Sequence, residues 1–238
     1  MSEPPSFERS VFINCPFDED FAPLLQAIAF CVTDLGFFPR LAPENADNAA
    51  NRLDRIIELI RGSRFGIHDL SRCKSAAADE YARLNMPFEL GIDHGAHRFG
   101  NGQSSRKAIL ILEQARYDYQ KSLSDISGWD IHAHDGDHIT AVRHVRNWLV
   151  RQAGAEPVGP ARILGHYTAF QEWYWERELA TGASEDDIKA YPTVQMVEAM
   201  RTWVDEGDLY EQFRGAGSEI GKEPGNSYLG HTELLRPR

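Results

Sequence analysis

Between residues 10 and 152, short runs of β-forming residues alternate with longer stretches that carry apolar residues at helical spacing. This alternation leaves few architectures open, because successive strands joined by helices form a parallel sheet with both faces covered. The predicted strands are the segments SVFIN, FFPRLA, RFGIHDL, KAILILE and GWDIHAH. Four or five such strands favour a flavodoxin-like order, 2-1-3-4-5, over the six-stranded dinucleotide-binding fold.

Helical patterns lie between these strands and continue beyond the last of them. Within the alternating region they are the segments FAPLLQAIAFCVTDLG, NRLDRIIELIRGS, NMPFELGIDHGAHR and ITAVRHVRNWLVRQ. The composition then changes at AGAEPVGPAR, and two further helical patterns follow. We therefore predict an α/β domain over residues 1–155, a helical extension over 156–213 and a flexible, glycine-rich tail over 214–238.

The charge and composition exclude several classes of partner. The formal net charge of -11 argues against non-specific binding to nucleic acid, which needs surplus Lys and Arg against phosphate. No run of eighteen apolar residues is present, and the first residues lack the basic and apolar regions of a signal peptide. The three cysteines stand far apart, which favours reduced thiols. We expect a cytoplasmic protein that binds neither nucleic acid nor a membrane.

The helical extension contains an aromatic stretch, FQEWYWERELA, in which Phe170, Trp173 and Tyr174 stand at helical spacing. Such a stripe most often packs in a core. The alternative is a surface through which the C-terminal helices form a homo-oligomer or bind a partner protein.

Polar residues follow the first and third predicted strands. Asn14 and Pro16 come at the end of the first strand and directly after it, and Asp18 lies in the turn that leads to the next helix. Asp69 and Ser71 end and follow the third strand. In a 2-1-3-4-5 sheet these two strand ends are neighbours at the switch point, where open α/β sheets bind ligands. The pattern therefore predicts a small-molecule site at this edge.

A helix carrying one acidic residue, Glu89, begins after the third strand and a loop. Asn85 is the predicted N-cap of this helix, and Met86 follows it. Phe88 and Ile92, four residues apart, are expected to anchor the helix to the sheet. Glu89 is then either an ordinary carboxylate near a helix N-terminus, stabilised by the helix dipole, or the working acid of the predicted site.

These elements together resemble two related groups of proteins. A strand ending in Asp69, then a loop, then Glu-Leu-Gly on a helix is similar to the nucleoside 2-deoxyribosyltransferase superfamily and to the related Toll/interleukin-1 receptor (TIR) fold. The resemblance covers roughly residues 10–152. The segments VFINCPFDEDF, RFGIHDLS, NMPFELGIDHG and DISGWDIHAH also resemble an uncharacterised bacterial family described as TIR-like.

The resemblance implies a role for several residues. Glu89 matches the glutamate that acts at the anomeric carbon in the deoxyribosyltransferases and that engages the ribose of NAD in catalytic TIR domains. Asp69 matches an aspartate near the nucleoside. Arg83 stands where the deoxyribosyltransferases have a second aspartate, so the pattern departs from deoxyribosyl transfer. The expected site has Glu89 and Asp69 as catalytic residues, with a set of substrate-binding residues around them. That set is Asn14, Pro16, Asp18, Ser71, Asn85 and Met86.

The activity implied is cleavage of an N-glycosidic bond in NAD or a related nucleotide. The nucleotide would be the substrate, and no cofactor is expected. Carboxylates suit this chemistry, because positive charge develops on the sugar as the bond breaks. Bacterial enzymes of this kind often serve defence systems and are commonly activated by assembly. The alternatives are a nucleotide-sensing module without catalysis and a TIR-type interaction or scaffold module.

The stretch DIHAHDGDH gathers three histidines and three aspartates, which are metal-capable residue types. No second group of ligands accompanies it, and the same residues suit a polar turn before a helix. We therefore predict no metal site.

Overall fold

The computed structural model describes residues 6–42, 49–72, 84–121 and 123–207. Five parallel strands form one sheet in the order β2-β1-β3-β4-β5. The strands are β1 (Ser10–Asn14), β2 (Phe38–Arg40), β3 (Phe65–Asp69), β4 (Ala108–Glu113) and β5 (Ile131–Ala133). This is the flavodoxin-like order, so the predicted fold class is confirmed. The switch point lies between β1 and β3.

The central strands are apolar because both of their faces are covered. β1 and β3 are buried along their whole length, as parallel strands in the middle of a sheet are expected to be. Their register pairs Asn14 with His68, so two polar side chains stand next to each other at the carboxyl end. β2 contains Pro39 and lies at the edge, where the missing backbone donor is tolerated.

Helices cover the sheet on both sides. They are α1 (Ala22–Asp34), α2 (Ala49–Arg61), α3 (Asn85–Phe99) and α4 (His138–Ala153). α1 and α4 share a hydrophobic cluster with one face of the sheet, while α2 and α3 pack on the other face. After α1, Gly36 adopts a left-handed conformation with φ of 78°, which suits a glycine directly after a helix end.

Three C-terminal helices pack onto this α/β layer. They are α5 (Pro160–Ala180), α6 (Glu185–Ala190) and α7 (Thr193–Asp205). α5 and α7 contact α1 from the side opposite the sheet, which explains why most of α1 is buried. The predicted extension is therefore helical as far as α7; the rest of it and the tail over 214–238 lie outside the described residues. In the part of the chain that the structure describes, no helix has both the length and the apolar character needed to cross a membrane.

The aromatic stripe of α5 lies inside this packing. Phe170, Trp173 and Tyr174 are buried, and Phe170 contacts Phe30 of α1 and Trp203 of α7. Core packing, the first interpretation of this stretch, is confirmed. These three side chains are consequently not on the surface that a partner would meet.

Trp203 tests whether the C-terminal helices are part of the same folding unit. Its side chain is 2% exposed and packs against Phe30 and Phe170. Trp203→Ala should lower the free energy of unfolding by about 3–5 kcal/mol, because it leaves a large cavity between α1 and α7. Urea denaturation followed by circular dichroism measures this. Leu179→Ala, at a 41% exposed position of α5, should change it by less than about 0.5 kcal/mol. Equal effects for both variants would contradict a shared core.

Candidate functional site

α3 begins at Asn85, one residue earlier than its predicted N-cap required. The capping position is Leu84, and no side chain caps the helix there. The prediction that Asn85 is the N-cap is therefore wrong. Asn85 is exposed, in the first turn of the helix.

The face that α3 turns toward the protein is unusually polar. Met86, Glu89, Leu90 and Asp93 are its buried residues. Phe88, which was expected to anchor the helix, is 56% exposed, so this prediction is also wrong. Position 88 is one residue off the inward face, so α3 buries the Glu89 carboxylate instead of this ring. Two acids on a buried helix face need partners or a functional reason.

Asn14 connects this helix face to the switch point. It is the last residue of β1 and is 1% exposed. Its Nδ2 donates a hydrogen bond to the Met86 carbonyl, with 3.0 Å between N and O. Met86 and Glu89 are three residues apart and therefore share one side of α3. Of the predicted site residues, the structure thus brings Asn14 into contact with Met86, and Glu89 lies one helical turn further along α3.

Glu89 is a nearly buried carboxylate with no fixed partner. Its residue exposure is 6%, and among the described residues no hydrogen bond or ion pair holds its side chain. Burial raises the pKa of the Glu89 carboxyl to about 7, and the positive charge of Arg52 on α2 opposes only part of that rise. The group therefore exchanges a proton near neutral pH, as a working acid, base or nucleophile does.

Asp93, the second buried acid of α3, lies against two side chains, His68 and Lys107. Its Oδ2 accepts a hydrogen bond from His68 Nε2 at 3.0 Å, and its Oδ1 lies 3.0 Å from Lys107 Nζ. His68 and Lys107 together hold the pKa of Asp93 below its ordinary value, against the opposing effect of burial. Gly66 makes room for this carboxylate, since a Cβ there would lie 2.2 Å from Asp93 Oδ2.

Sequence reasoning missed this cluster of His68, Asp93 and Lys107. The one signal that could have found it is the burial pattern: His68 lies in a strand and Asp93 on the inward face of α3, among apolar residues. Periodicity places both inside, and a buried acid requires a cation or donor beside it.

Asp69 lies on the other face of the sheet from Glu89. Successive strand residues point to opposite faces, and its neighbour His68 faces α3. Asp69 is fully buried; its Oδ1 accepts from the Ser71 backbone N–H at 2.9 Å, and its Oδ2 lies 2.9 Å from His134 Nε2. Asp69 and Ser71 therefore form a cluster with His134 that is separate from the Glu89 side chain.

The Asp69, His134 and Ser71 cluster lacks the geometry of a catalytic triad. Ser71 Oγ lies 3.2 Å from His134 Nε2, the same nitrogen that contacts Asp69. A triad needs the acid and the hydroxyl on opposite ring nitrogens. Here Nδ1 accepts from the Gly136 backbone N–H at 3.0 Å, which leaves His134 neutral with its proton on Nε2. The cluster thus ties the end of β3 to the turn before α4.

The Asp18 carboxylate lies beyond the carboxyl ends of the strands, at the switch point. Its two oxygens pair with Arg72, at 3.2 Å from Nε and 3.0 Å from Nη2. Its Oδ1 also accepts from the Phe21 backbone N–H, which holds the turn into α1. Pro16 is buried in the same loop. The Asp18–Arg72 ion pair joins the loop after β1 to the loop after β3, so a ligand at the switch point would lie beside it. No sequence signal indicates Arg72 as the partner.

The histidine-rich stretch forms a turn and a helix start. Asp135 and Gly136 have positive φ angles of 54° and 74°, and Asp137 caps α4 by accepting from two backbone N–H groups. His132 packs against His144 of α4, with 4.7 Å between ring centroids. Across residues 6–42, 49–72, 84–121 and 123–207, no three metal-capable side chains converge on one point.

Comparison with known proteins adds no assignment. Neither the models of known protein families nor the curated proteins gave a match to this chain. The site is therefore interpreted from its own geometry and chemistry.

Proposed function

We propose that this chain is an enzyme that cleaves the N-glycosidic bond of NAD or a related nucleotide, with Glu89 as the essential carboxylate. The resemblance of the Glu-Leu-Gly segment to the deoxyribosyltransferases and to catalytic TIR domains supports this class of reaction. We place the activity in the cytoplasm, with the nucleotide as substrate and no cofactor. A bacterial defence effector is the role that fits such an activity.

The observation that carries the proposal is a Glu89 carboxylate that lies on the inward face of α3 without a fixed partner in the described part of the chain. It is 6% exposed, has no hydrogen-bond partner among the described residues, and its pKa is raised to about 7. A structural carboxylate buried in a protein is usually held by hydrogen bonds or by a cation. The unpaired Glu89 carboxylate gains a partner only when positive charge develops on the sugar beside it. It therefore stabilises the transition state more than the ground state.

The chemistry requires one carboxylate and one water. The bond between the anomeric carbon and the base nitrogen breaks, and its electron pair leaves with the base. The positive charge that develops on the sugar is stabilised or captured by the Glu89 carboxylate. Water then adds at the anomeric carbon and loses a proton, which completes hydrolysis. Asn14 contacts α3 at the Met86 carbonyl, one helical turn before Glu89.

Within the residues that the structure describes, the site favours a substrate whose base leaves without being protonated. Asp69 is fully buried against His134 on the opposite sheet face, and Asp93 is held by His68 and Lys107. Neither is therefore available beside Glu89 as a second acid for the leaving base. A pyridinium base such as that of NAD leaves as a neutral molecule and needs no acid, whereas an ordinary nucleoside base leaves as an anion unless it is protonated.

The test is a substrate panel. Wild-type protein is incubated with NAD, adenosine, inosine and 2′-deoxyadenosine, and free base is measured by chromatography. We expect release of nicotinamide from NAD to exceed release of base from the neutral nucleosides by at least about 100-fold, the usual contribution of a missing general acid. Equal release from all four compounds would contradict the preference, and base release from none of them would contradict the enzymatic proposal.

The pKa of Glu89 predicts the pH dependence of this activity. Only the ionised carboxylate can stabilise the cationic sugar, and in the free protein it ionises near pH 7. The value of kcat/KM should therefore fall about tenfold per pH unit below pH 7 and level off above it, because kcat/KM reports the free enzyme. Initial rates of nicotinamide release between pH 5.5 and 8.5 measure the profile. A flat profile across that range would rule out this ionisation.

A TIR-type interaction module is the second candidate, and one observation favours it. α3 exposes Phe88 and Phe99 on its outer side, 56% and 88% accessible respectively, with Leu84 at 65%. Gly91 and Gly95 lie between the two rings on the same side, and a Cβ at either would meet nothing within 4 Å. Such a surface suits close approach by the same helix of a second copy. Phe88→Ser with Phe99→Ser should then lower the sedimentation coefficient, while Glu89→Gln should leave it unchanged.

A further inference from the structure

The most unusual polar atom of the site is Asn14 Oδ1. Asn14 is 1% exposed, and this oxygen has no hydrogen-bond partner in the part of the chain that the structure describes. Most buried polar atoms are paired, and an unpaired one needs a reason. A buried acceptor that stays empty in the free protein is suited to a donor that a ligand brings.

The Asn14 amide cannot turn to satisfy that oxygen internally. The Met86 carbonyl only accepts hydrogen bonds, so the Nδ2 of Asn14 must face it, at 3.0 Å. The same Nδ2 lies 3.0 Å from His68 Nδ1, which must therefore be the acceptor. Turning the amide would set two carbonyl oxygens against each other at this distance. The free Oδ1 is thus a fixed consequence of the two contacts.

The orientation depends in turn on the protonation of His68. With Nδ1 accepting, the ring proton is on Nε2, which donates to Asp93 Oδ2 at 3.0 Å. Lys107 holds the other oxygen of Asp93 at 3.0 Å and also donates to the Ile60 and Ser63 carbonyls. His68 is fully buried, as is Asp93. This chain of four side chains runs from the interior of the protein to the switch point and fixes one tautomer.

We propose that Asn14 Oδ1 accepts a hydrogen bond from the sugar hydroxyl next to the anomeric carbon. His68 is then the positioning residue that holds the Asn14 amide in the required orientation. The identity of this ligand rests on the proposed function. Asn14 contacts α3 at the Met86 carbonyl, one helical turn before Glu89, so a sugar whose anomeric carbon lies at Glu89 can extend its neighbouring hydroxyl toward Asn14. A sugar without it leaves the buried oxygen unpaired. The protein should therefore bind ribosyl compounds in preference to 2′-deoxyribosyl compounds.

Binding measured without turnover tests this selection. In the Glu89→Gln background, calorimetry compares NAD with the analogue that lacks the 2′-hydroxyl on the nicotinamide ribose. We expect NAD to bind at least about tenfold more tightly, the effect of leaving one buried acceptor unpaired. Adding Asn14→Ala should reduce the preference to less than about twofold. Equal binding of the two compounds, a preference that survives Asn14→Ala, or binding of neither compound would overturn the proposal.

The His68 variants separate positioning from a general structural role. Glutamine can accept from Asn14 with its oxygen and donate to Asp93 with its nitrogen, so His68→Gln should keep the preference. His68→Leu should lose it while still binding both compounds. Long-range ¹H–¹⁵N spectra of the wild type should also show His68 as the neutral Nε2–H tautomer; a protonated His68 or the Nδ1–H tautomer at pH 7 would overturn the chain of contacts.

The two proposals fail in different ways. Preference for NAD without any release of nicotinamide by the wild type would leave the role of Asn14 intact and remove the enzymatic function. Release of nicotinamide without any preference for the 2′-hydroxyl would support the enzymatic function and remove the role of Asn14.

Discussion

Glu89→Gln should lower kcat/KM for nicotinamide release by at least about 1000-fold while the protein stays folded. Glutamine has almost the same shape as glutamate but cannot become an anion, so it cannot stabilise a cationic sugar. The side chain has no hydrogen bond among the described residues, so no structural contact is lost with the charge. Initial rates with NAD at pH 8 measure the effect. The exposed Glu198→Gln on α7 is the matched control and should leave the rate unchanged.

The same substitution should make the protein more stable. The pKa of Glu89 is about 7 in the folded state and 4.5 in the unfolded chain, so ionisation costs the folded state free energy. Wild-type stability should therefore fall as the pH rises from 4.5 to 7, and at pH 8 the glutamine variant should be more stable by about 2 kcal/mol. Guanidinium denaturation at pH 5 and pH 8 measures this. A variant that is less stable than wild type at pH 8 would show that Glu89 makes a stabilising contact.

Asp93→Ala should lower the free energy of unfolding by about 3–5 kcal/mol. The substitution leaves Lys107, whose side chain is fully buried, with a positive charge and no anion at 3.0 Å. It also removes the acceptor of His68 Nε2. Because the pKa of Asp93 is lowered in the folded state, the contribution of the wild-type carboxylate should be present above pH 3.8 and lost as the pH falls further. Urea denaturation at pH 7 measures the main effect.

The double variant Asp93→Leu with Lys107→Met separates the charge effect from a packing effect. Removing both charges leaves no uncompensated ion, so stability should recover by at least about 2 kcal/mol relative to Asp93→Ala. Asp69→Asn on the opposite sheet face serves as a second buried aspartate for comparison, since among the described residues it contacts His134 and no Lys or Arg forms an ion pair with it. A double variant as unstable as the single one would show that Lys107 is not the reason for the loss.

The sheet was predictable because its strands are marked by composition. β1 has the apolar centre Val-Phe-Ile and β4 is apolar over most of its length, and both segments were predicted as strands. The depth at which α1 is buried was less evident. Its apolar residues surround the whole helix, which indicates that other elements pack against it on two sides. The sheet covers one side, and α5 and α7, which lie far along the chain, cover the other.

The site was predictable in its location more than in its contacts. Polar residues at the ends of β1 and β3 indicated the switch point, and Asn14 does meet the helix that carries Glu89. Sequence spacing could not show that Asp69 turns to the other sheet face and pairs with His134, sixty-five residues away. The His68, Asp93 and Lys107 cluster was missed for the same reason, since its members meet only through the tertiary fold.

The proposal that Glu89 acts on an N-glycosidic bond is tested most directly by measuring free nicotinamide formed from NAD. Wild-type and Glu89→Gln proteins, matched in concentration and shown to be folded, are incubated with NAD at pH 8 and analysed by chromatography. We expect nicotinamide in the wild-type sample and at least about 1000-fold less in the variant sample. Equal rates of nicotinamide release by the two proteins would contradict it.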